Sequence, residues 1–166
     1  MRVLLILSVL FMSFNLSAER ILLDEQWRLS DVPGEAIYYQ QQAATAQNGE
    51  WPVQLFYLET DKPVFKGRVN SPNLAESYIV GDFEFFYPDG QLSRKGSSDA
   101  QGRYQGTHLH YWEDGKLSGE YHYLNGQLHG EQKSYHTNGQ LRDHQHYVNG
   151  VESGLAQSYF DNGQLQ

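Results

Sequence analysis

A period of 24 residues governs the C-terminal half of the chain. GTHLHYWEDGKLSGEYHYLNGQLH is followed by GEQKSYHTNGQLRDHQHYVNGVES, so Gly106, Gly130 and Gly154 open successive blocks. Gly115, Gly139 and Gly163 follow nine residues later, each behind Asp114, Asn138 or Asn162. The register reaches back to Gly81 and Gly90, in a block that carries one extra residue. An aromatic holds the sixth position (Phe86, Tyr111, Tyr135, Tyr159) and a leucine the twelfth (Leu92, Leu117, Leu141, Leu165). A fixed period of this length marks a repeat architecture, in which each unit buries surface against a like neighbour.

Each block contains a second turn signal, Asn125-Gly126 and Asn149-Gly150. Asn-Gly between short runs rich in Tyr, Phe and Leu signals a hairpin, because both central residues of a type I′ turn need positive φ. One block therefore reads as one β-hairpin plus the turn to the next. The expected fold is all-β, an elongated antiparallel meander of stacked hairpins in a single twisted sheet. With two-residue loops at both turns, Trp112 faces Leu117, Tyr123 faces Leu128 and His122 faces His129. Alternation then sets Trp112, Leu117, Tyr121, Tyr123 and Leu128 on one face, and Tyr111, Glu120, His122, His129, Glu131 and Tyr135 on the other, with any bulge at a glycine shifting the parity. Leucines and aromatics at equivalent positions are expected to pack as a stripe along the apolar face. Truncating Leu117 or Leu141 to alanine should then cost about 2 to 4 kcal/mol, and truncating His129 under about 1 kcal/mol. On the mixed face Tyr111, His122, His129, Glu131 and Tyr135 are the expected binding residues.

Residues 1–18, MRVLLILSVLFMSFNLSA, carry one basic residue, an apolar run and then small and polar residues, which is the pattern of a secretory signal peptide. The run is shorter than the roughly 20 residues needed to span a bilayer. Cleavage after Ala18 leaves 166 − 18 = 148 residues, enough for a core, and places the protein in the periplasm or outside the cell. No cysteine is present for a disulfide or for lipid attachment. Without Arg2 the balance is eleven basic against twenty acidic residues, which argues against a nucleic-acid partner. Between residues 19 and 73 no repeat is visible. Turn signals at Pro33-Gly34, Asn48-Gly49 and Asp61-Lys62 nevertheless separate strand-like runs, so this stretch reads as degenerate β-units capping the array at 74–166, with the seam at the Asn70 to Asn73 loop.

The motif YWEDGKLSGEYHYLNGQLHG, with its partner copies FYPDGQL, YHTNGQL and YFDNGQL, resembles the bacterial variant of the MORN repeat, a family of short β-hairpin units stacked into an elongated twisted sheet. The resemblance covers residues 81–166. It implies a binding or scaffolding module, and some relatives carry an antitoxin label. That role needs the cytosol and conflicts with the leader. The first block departs from the pattern: RKGSSDAQGRYQG puts Ser97, Ser98 and Asp99 where later blocks have aromatics, so its hairpin is expected to be loose or bulged.

The residues offer little chemistry. All seven histidines lie in the repeats, and His122 opposite His129 with Glu120 or Glu131 nearby has the donor types of a zinc site. No ligand set recurs from block to block, and equivalent positions in adjacent blocks lie about 9.5 Å apart, so no metal or other cofactor is expected. There is no cysteine nucleophile, no Gly-x-Ser-x-Gly elbow and no phosphate loop, and the carboxylates of Asp114 and Asp161 belong to turns. The expected function is a non-catalytic protein-interaction scaffold of the cell envelope. The alternative is a glycan or peptidoglycan binder that stacks sugars on its tyrosines. Leu155, Ala156, Gln157, Ser158, Tyr159 and Phe160 follow the Asn149-Gly150 turn without charge or proline, and are expected to form an unprotected edge where a second copy or a partner strand adds.

Overall fold

In the computed structural model, which describes residues 20–30, 34–41 and 45–166, two turn chemistries alternate and determine the pairing. At the glycines nine residues into each block the loop has three residues. Trp112 N–H donates to Lys116 C=O (2.8 Å) and Gly115 N–H to Trp112 C=O (2.9 Å), with Gly115 at φ 81°. Asp114 Oδ1 accepts from Lys116 N–H at 3.0 Å, and Asp89, Asn138 and Asn162 repeat that bond. This is a type I turn closed by a left-handed glycine. At Asn125-Gly126 both residues have positive φ (53° and 81°) and the loop has two residues, the type I′ turn read from the sequence.

The strands are β1 (Ile21–Leu23), β2 (Tyr38–Gln40), β3 (Trp51–Tyr57), β4 (Pro63–Val69), β5 (Ile79–Phe86), β6 (Leu92–Ser98), β7 (Tyr104–Tyr111), β8 (Leu117–Leu124), β9 (Gln127–Tyr135), β10 (Leu141–Val148), β11 (Val151–Glu152) and β12 (Gln157–Ser158). They form one open antiparallel sheet in which β1 to β11 neighbour one another in chain order and β12 also pairs with β10. The expected meander is therefore present. No described helix is long and apolar enough to cross a membrane; one 3-10 turn, Leu74–Glu76, lies between β4 and β5. The expected leader, residues 1–18, lies outside the described residues.

Three expectations are corrected by the turns. The three-residue loop displaces the partner by one, so Leu117 lies opposite Tyr111 and not Trp112, as Leu92 lies opposite Phe86 and Leu141 opposite Tyr135. Ser97, Ser98 and Asp99 do not loosen the hairpin of the first block, since Gly81 to Phe85 pair in unbroken register with Ser98 to Arg94. The block's extra residue is taken up beyond it and lengthens the next turn from two residues to three: Asp99 N–H donates to Arg103 C=O, and Asp99 Oδ1 accepts from the N–H groups of Gln101 and Arg103, both at 2.9 Å. Finally, the block-opening glycines Gly81, Gly106 and Gly130 (φ 67°, 67° and 89°) sit at register shifts between blocks. On β9 the shift inserts extra residues opposite His122, so His122 is not paired with His129.

The buried stripe follows the third position of each block and not the leucines. Phe83 and His108 are each 2% exposed and Gln132 4%, whereas Leu117 and Leu141 are half-buried. Rings run along this face from Trp27 to Phe65 (5.2 Å), Phe65 to Phe85 (4.9 Å), Phe83 to His108 (5.4 Å) and His108 to Tyr123 (4.7 Å). Glycine lets them lie flat. A Cβ on Gly96 would meet the His108 ring at 2.6 Å, and one on Gly119 the Tyr121 ring at 2.5 Å. The apolar core itself gathers at the N-terminal end, where Leu23, Val53, Leu55, Phe65, Leu74 and Phe83 close over one another. The seam expected after residue 73 falls at the 3-10 turn, and both the β4–β5 pairing and the core cross it.

Successive hairpins are also stitched at their turns. Tyr57 Oη donates to Phe86 C=O (3.1 Å) and Tyr87 Oη to Tyr111 C=O (2.7 Å), and a His136 ring nitrogen lies 2.8 Å from Tyr159 C=O. Tyr87 and His136 are the seventh residues of their blocks, whereas Trp112, the seventh of the block between them, makes no such bond and its buried indole N–H has no partner among the described residues; the stitch begins at Tyr57, before the sequence repeat is visible.

Candidate functional site

Period-two alternation gives the sheet a second face, opposite the ring stripe, and the pairing draws one row of residues across it. Gln54 lies opposite Lys66, Lys66 opposite Glu84, and Glu84 opposite Lys95. The row continues through Leu109, Glu120, Lys133 and His144 to Gln157, crossing every strand from β3 to β10 and reaching β12. From Lys66 to Lys133 its charges alternate in sign from strand to strand except at Leu109, with neutral Gln54 and Gln157 at the ends. A row of this length could not be read from single blocks, because it depends on the bulge at each block boundary.

The expected binding residues divide around this row. Glu131 is in it electrostatically: Lys133 Nζ lies 2.7 Å from Glu131 Oε2 and His144 Nε2 at 3.8 Å. The hydrogen bond and charge of Lys133 hold the Glu131 carboxyl below its ordinary value, and Glu131 raises Lys133 in turn. His122 lies 3.6 Å from Glu120, and its Nδ1 is 2.6 Å from Glu131 C=O. His129 belongs elsewhere; its Nδ1 accepts from Asn149 N–H (3.4 Å) at the next turn. Tyr111 and Tyr135 stand at the turn end of their strands, opposite Leu117 and Leu141. The structure thus brings together His122 and Glu131 but separates them from His129, Tyr111 and Tyr135. Among the described residues no group of three or more His, Asp or Glu side chains is placed to share a metal ion.

On the opposite face the stripe changes character along the array. Phe65 and Phe85 give way to Arg94, whose guanidinium lies 4.1 Å from the Phe85 ring centre, then to His110, Gly119, Ser134, Asp143 and Ser158, each opposite the next. Burial pushes His108 below its ordinary value, with Arg94 adding to it, and His110 is lowered for the same two reasons. Burial raises the Asp143 carboxyl, but the hydroxyls of Ser134 (2.6 Å) and Ser158 (2.9 Å) and the guanidinium of Arg142 outweigh it and hold it low. Gln132 was not singled out from the sequence. Its side-chain amide accepts from His122 N–H (3.0 Å) and donates to His122 C=O (3.1 Å), replacing the ladder bonds that the bulge removes. The signal was available, since Gln132 stands at the block position of Phe83 and His108.

At the C-terminal edge the expected strand is broken. Val151–Glu152 and Gln157–Ser158 both pair with β10, Ser153 N–H still donates to His146 C=O on it (2.8 Å), and residues 154–156 bow away between them. Residues 164–166 return along the outside: Phe160 N–H donates to Gln164 C=O and Gln166 N–H to Ser158 C=O, both at 2.8 Å. Of Leu155, Ala156, Gln157, Ser158, Tyr159 and Phe160, the last three therefore have a neighbour on that side.

Three consecutive stretches, residues 79–99, 104–125 and 128–149, match the family model of the MORN repeat variant. This part of the chain is a MORN-variant array. Each matched stretch corresponds to one hairpin closed by the three-residue turn: β5–β6, β7–β8 and β9–β10. The copy YFDNGQL and the strands before β5 lie outside the matched stretches. No curated protein and no solved structure matches the chain. MORN repeats are in general units of interaction with proteins or membranes, and the row from Gln54 to Gln157 is the extended surface these hairpins present.

Proposed function

We propose that this protein is an exported, non-catalytic scaffold of the cell envelope that binds another protein across the charged face of its sheet. The observation that carries this reading is the register row itself, open charged side chains in alternating sign over strands held rigid by turn bonds and stitches. Alternating charge favours a partner whose own charges are complementary, and gives orientation and specificity more than raw affinity. Three of the seven histidines, the groups best suited to acid–base chemistry, are engaged in packing and backbone contacts: His108 among rings, His122 at Glu131 C=O and His136 at Tyr159 C=O. Tyr104, Tyr121 and Tyr123 are similarly engaged. Tyr104 meets Tyr123 edge-on at 5.3 Å and Tyr121 meets His110 at 5.0 Å, so ring surface that a sugar would stack on is taken up in the sheet's own packing. Export rests on residues 1–18.

Two measurements test this. Intact mass of the protein from an envelope fraction should start at Glu19 or within a few residues of it; a cytosolic protein retaining Met1 contradicts export. Capture of a partner from envelope extract by the mature chain should be lost when Glu120→Lys and Lys133→Glu are combined, and should survive Gln101→Glu at a turn on the sheet margin. Capture indifferent to the row contradicts the assignment of the face.

A further inference from the structure

On the charged face, between β3 and β7, the sheet bends into a recess of about 740 Å³. Register shifts at Lys66/Arg68 and Lys95/Ser97 fall within it, and Pro52 and Leu109 supply apolar wall. This volume is in the range of ligand pockets, roughly 300 to 1,000 Å³. Two carboxylates, Asp82 and Glu84, stand on the central strand β5. Lys66 on β4 flanks them on one side and Lys95 on β6 on the other. Arg68, also in the recess, is held by Glu50 at 3.3 Å. Among the described residues, Lys66, Lys95, Asp82 and Glu84 make no ion pair or side-chain hydrogen bond within the chain, although each stands in register with a partner of opposite sign or a hydroxyl: Lys66 and Lys95 with Glu84, and Asp82 with Ser97.

We propose that this recess binds an extended peptide segment carrying a basic side chain between two acidic ones. The proposal rests on reading this face as an interaction surface, and specifies the chemistry of what that surface takes at its N-terminal half. An anionic ligand would meet Asp82 and Glu84 at the centre; a cationic one would meet Lys66 and Lys95 at both flanks. Only alternation satisfies all four groups. Adjacent strands are about 4.8 Å apart, which separates the two lysines by about 10 Å. In an extended peptide, side chains at i, i+2 and i+4 share one face and span about 13 Å, a distance that flexible lysine side chains can meet. The contacts would lie near solvent, so binding should weaken as ionic strength rises.

The test is calorimetric titration of the mature protein with the blocked pentapeptide Glu-Ala-Lys-Ala-Glu, beside blocked Glu-Ala-Glu-Ala-Glu and Lys-Ala-Lys-Ala-Lys. The alternating peptide should bind most tightly, lose at least about tenfold in affinity against Lys95→Glu, as expected when an attraction becomes a repulsion, and be unaffected by Gln101→Glu, at a turn outside the recess and outside the row. Melting curves check that each variant remains folded, which is expected because the side chain of Lys95 makes no bond within the sheet. Equal or tighter binding of the all-acidic or all-basic peptide, no binding of any, or indifference to Lys95→Glu overturns the proposal. Its failure is distinguishable from failure of the wider reading: peptide binding lost with partner capture intact removes the recess alone, and the reverse removes the envelope-scaffold reading alone.

Discussion

Single glycines do two different jobs in this chain, and substitution separates them. Gly106 has φ 67°, and a methyl group added there would meet nothing within 4 Å, so alanine incurs only the left-handed penalty, about 1 to 2 kcal/mol; asparagine, which tolerates that region, should cost less. Gly119 lies beneath the Tyr121 ring, and alanine there should cost about 1 to 3 kcal/mol through overpacking. The second penalty should shrink in a Tyr121→Ala background and the first should not; additive denaturant midpoints for Gly119→Ala with Tyr121→Ala would contradict the contact. His108 shows how one buried ring makes stability depend on pH. Burial holds it below its ordinary value in the folded protein, so below about pH 6.5 the unfolded chain binds the extra proton and the folded one resists it. Stability is thus fully present above that pH and declines as pH falls through the window. His108→Phe, which places the residue of Phe83 at the equivalent position, should flatten the decline in urea midpoints. Part of the slope should remain, because His110 is lowered as well. An unchanged slope would contradict a neutral His108.

Within the hairpin, the third block position and the turn stitch dominate over the leucines. Phe83→Ala should cost about 3 to 5 kcal/mol, as for a buried aromatic, against about 1 to 2 kcal/mol for half-buried Leu117→Ala; equal costs would restore the leucine stripe. Tyr87→Phe removes the hydroxyl on Tyr111 C=O and should cost about 0.5 to 1.5 kcal/mol, read from the same midpoints. Much of this element was legible beforehand. Asn125-Gly126 announced its turn, its two-residue loop and the pairing of Tyr123 with Leu128, because positive φ at two successive residues has few other uses. The Asp114-Gly115 loop was misread by one residue, since Asp-Gly serves both two-residue and three-residue turns and only the backbone bonds distinguish them. The His122 and His129 pair failed for a related reason. Gly130 carries a positive φ, and a bulge there displaces every residue that a simple ladder would align. Gln132 stayed hidden because an amide that replaces backbone bonds leaves no mark in the hydrophobic pattern.

At the scale of the molecule, one sheet serves two purposes on its two faces. Rings and aliphatic side chains close the N-terminal half from one side, while bulges at block boundaries bring Lys66, Glu84, Lys95, Glu120 and Lys133 into a single row on the other. The array was legible from its period, and so was its open meander. The row was not, because it exists only after each bulge has shifted the register between blocks. The charged face as the surface of interaction is the central claim, and site-specific photo-crosslinking in envelope extract tests it most directly. A crosslinking residue placed at Thr107 or Glu120, on that face, should capture a partner, whereas one at Gln101 or Thr137, in the turns, should not. Capture from the turn positions alone, or from none of the four, would contradict the claim.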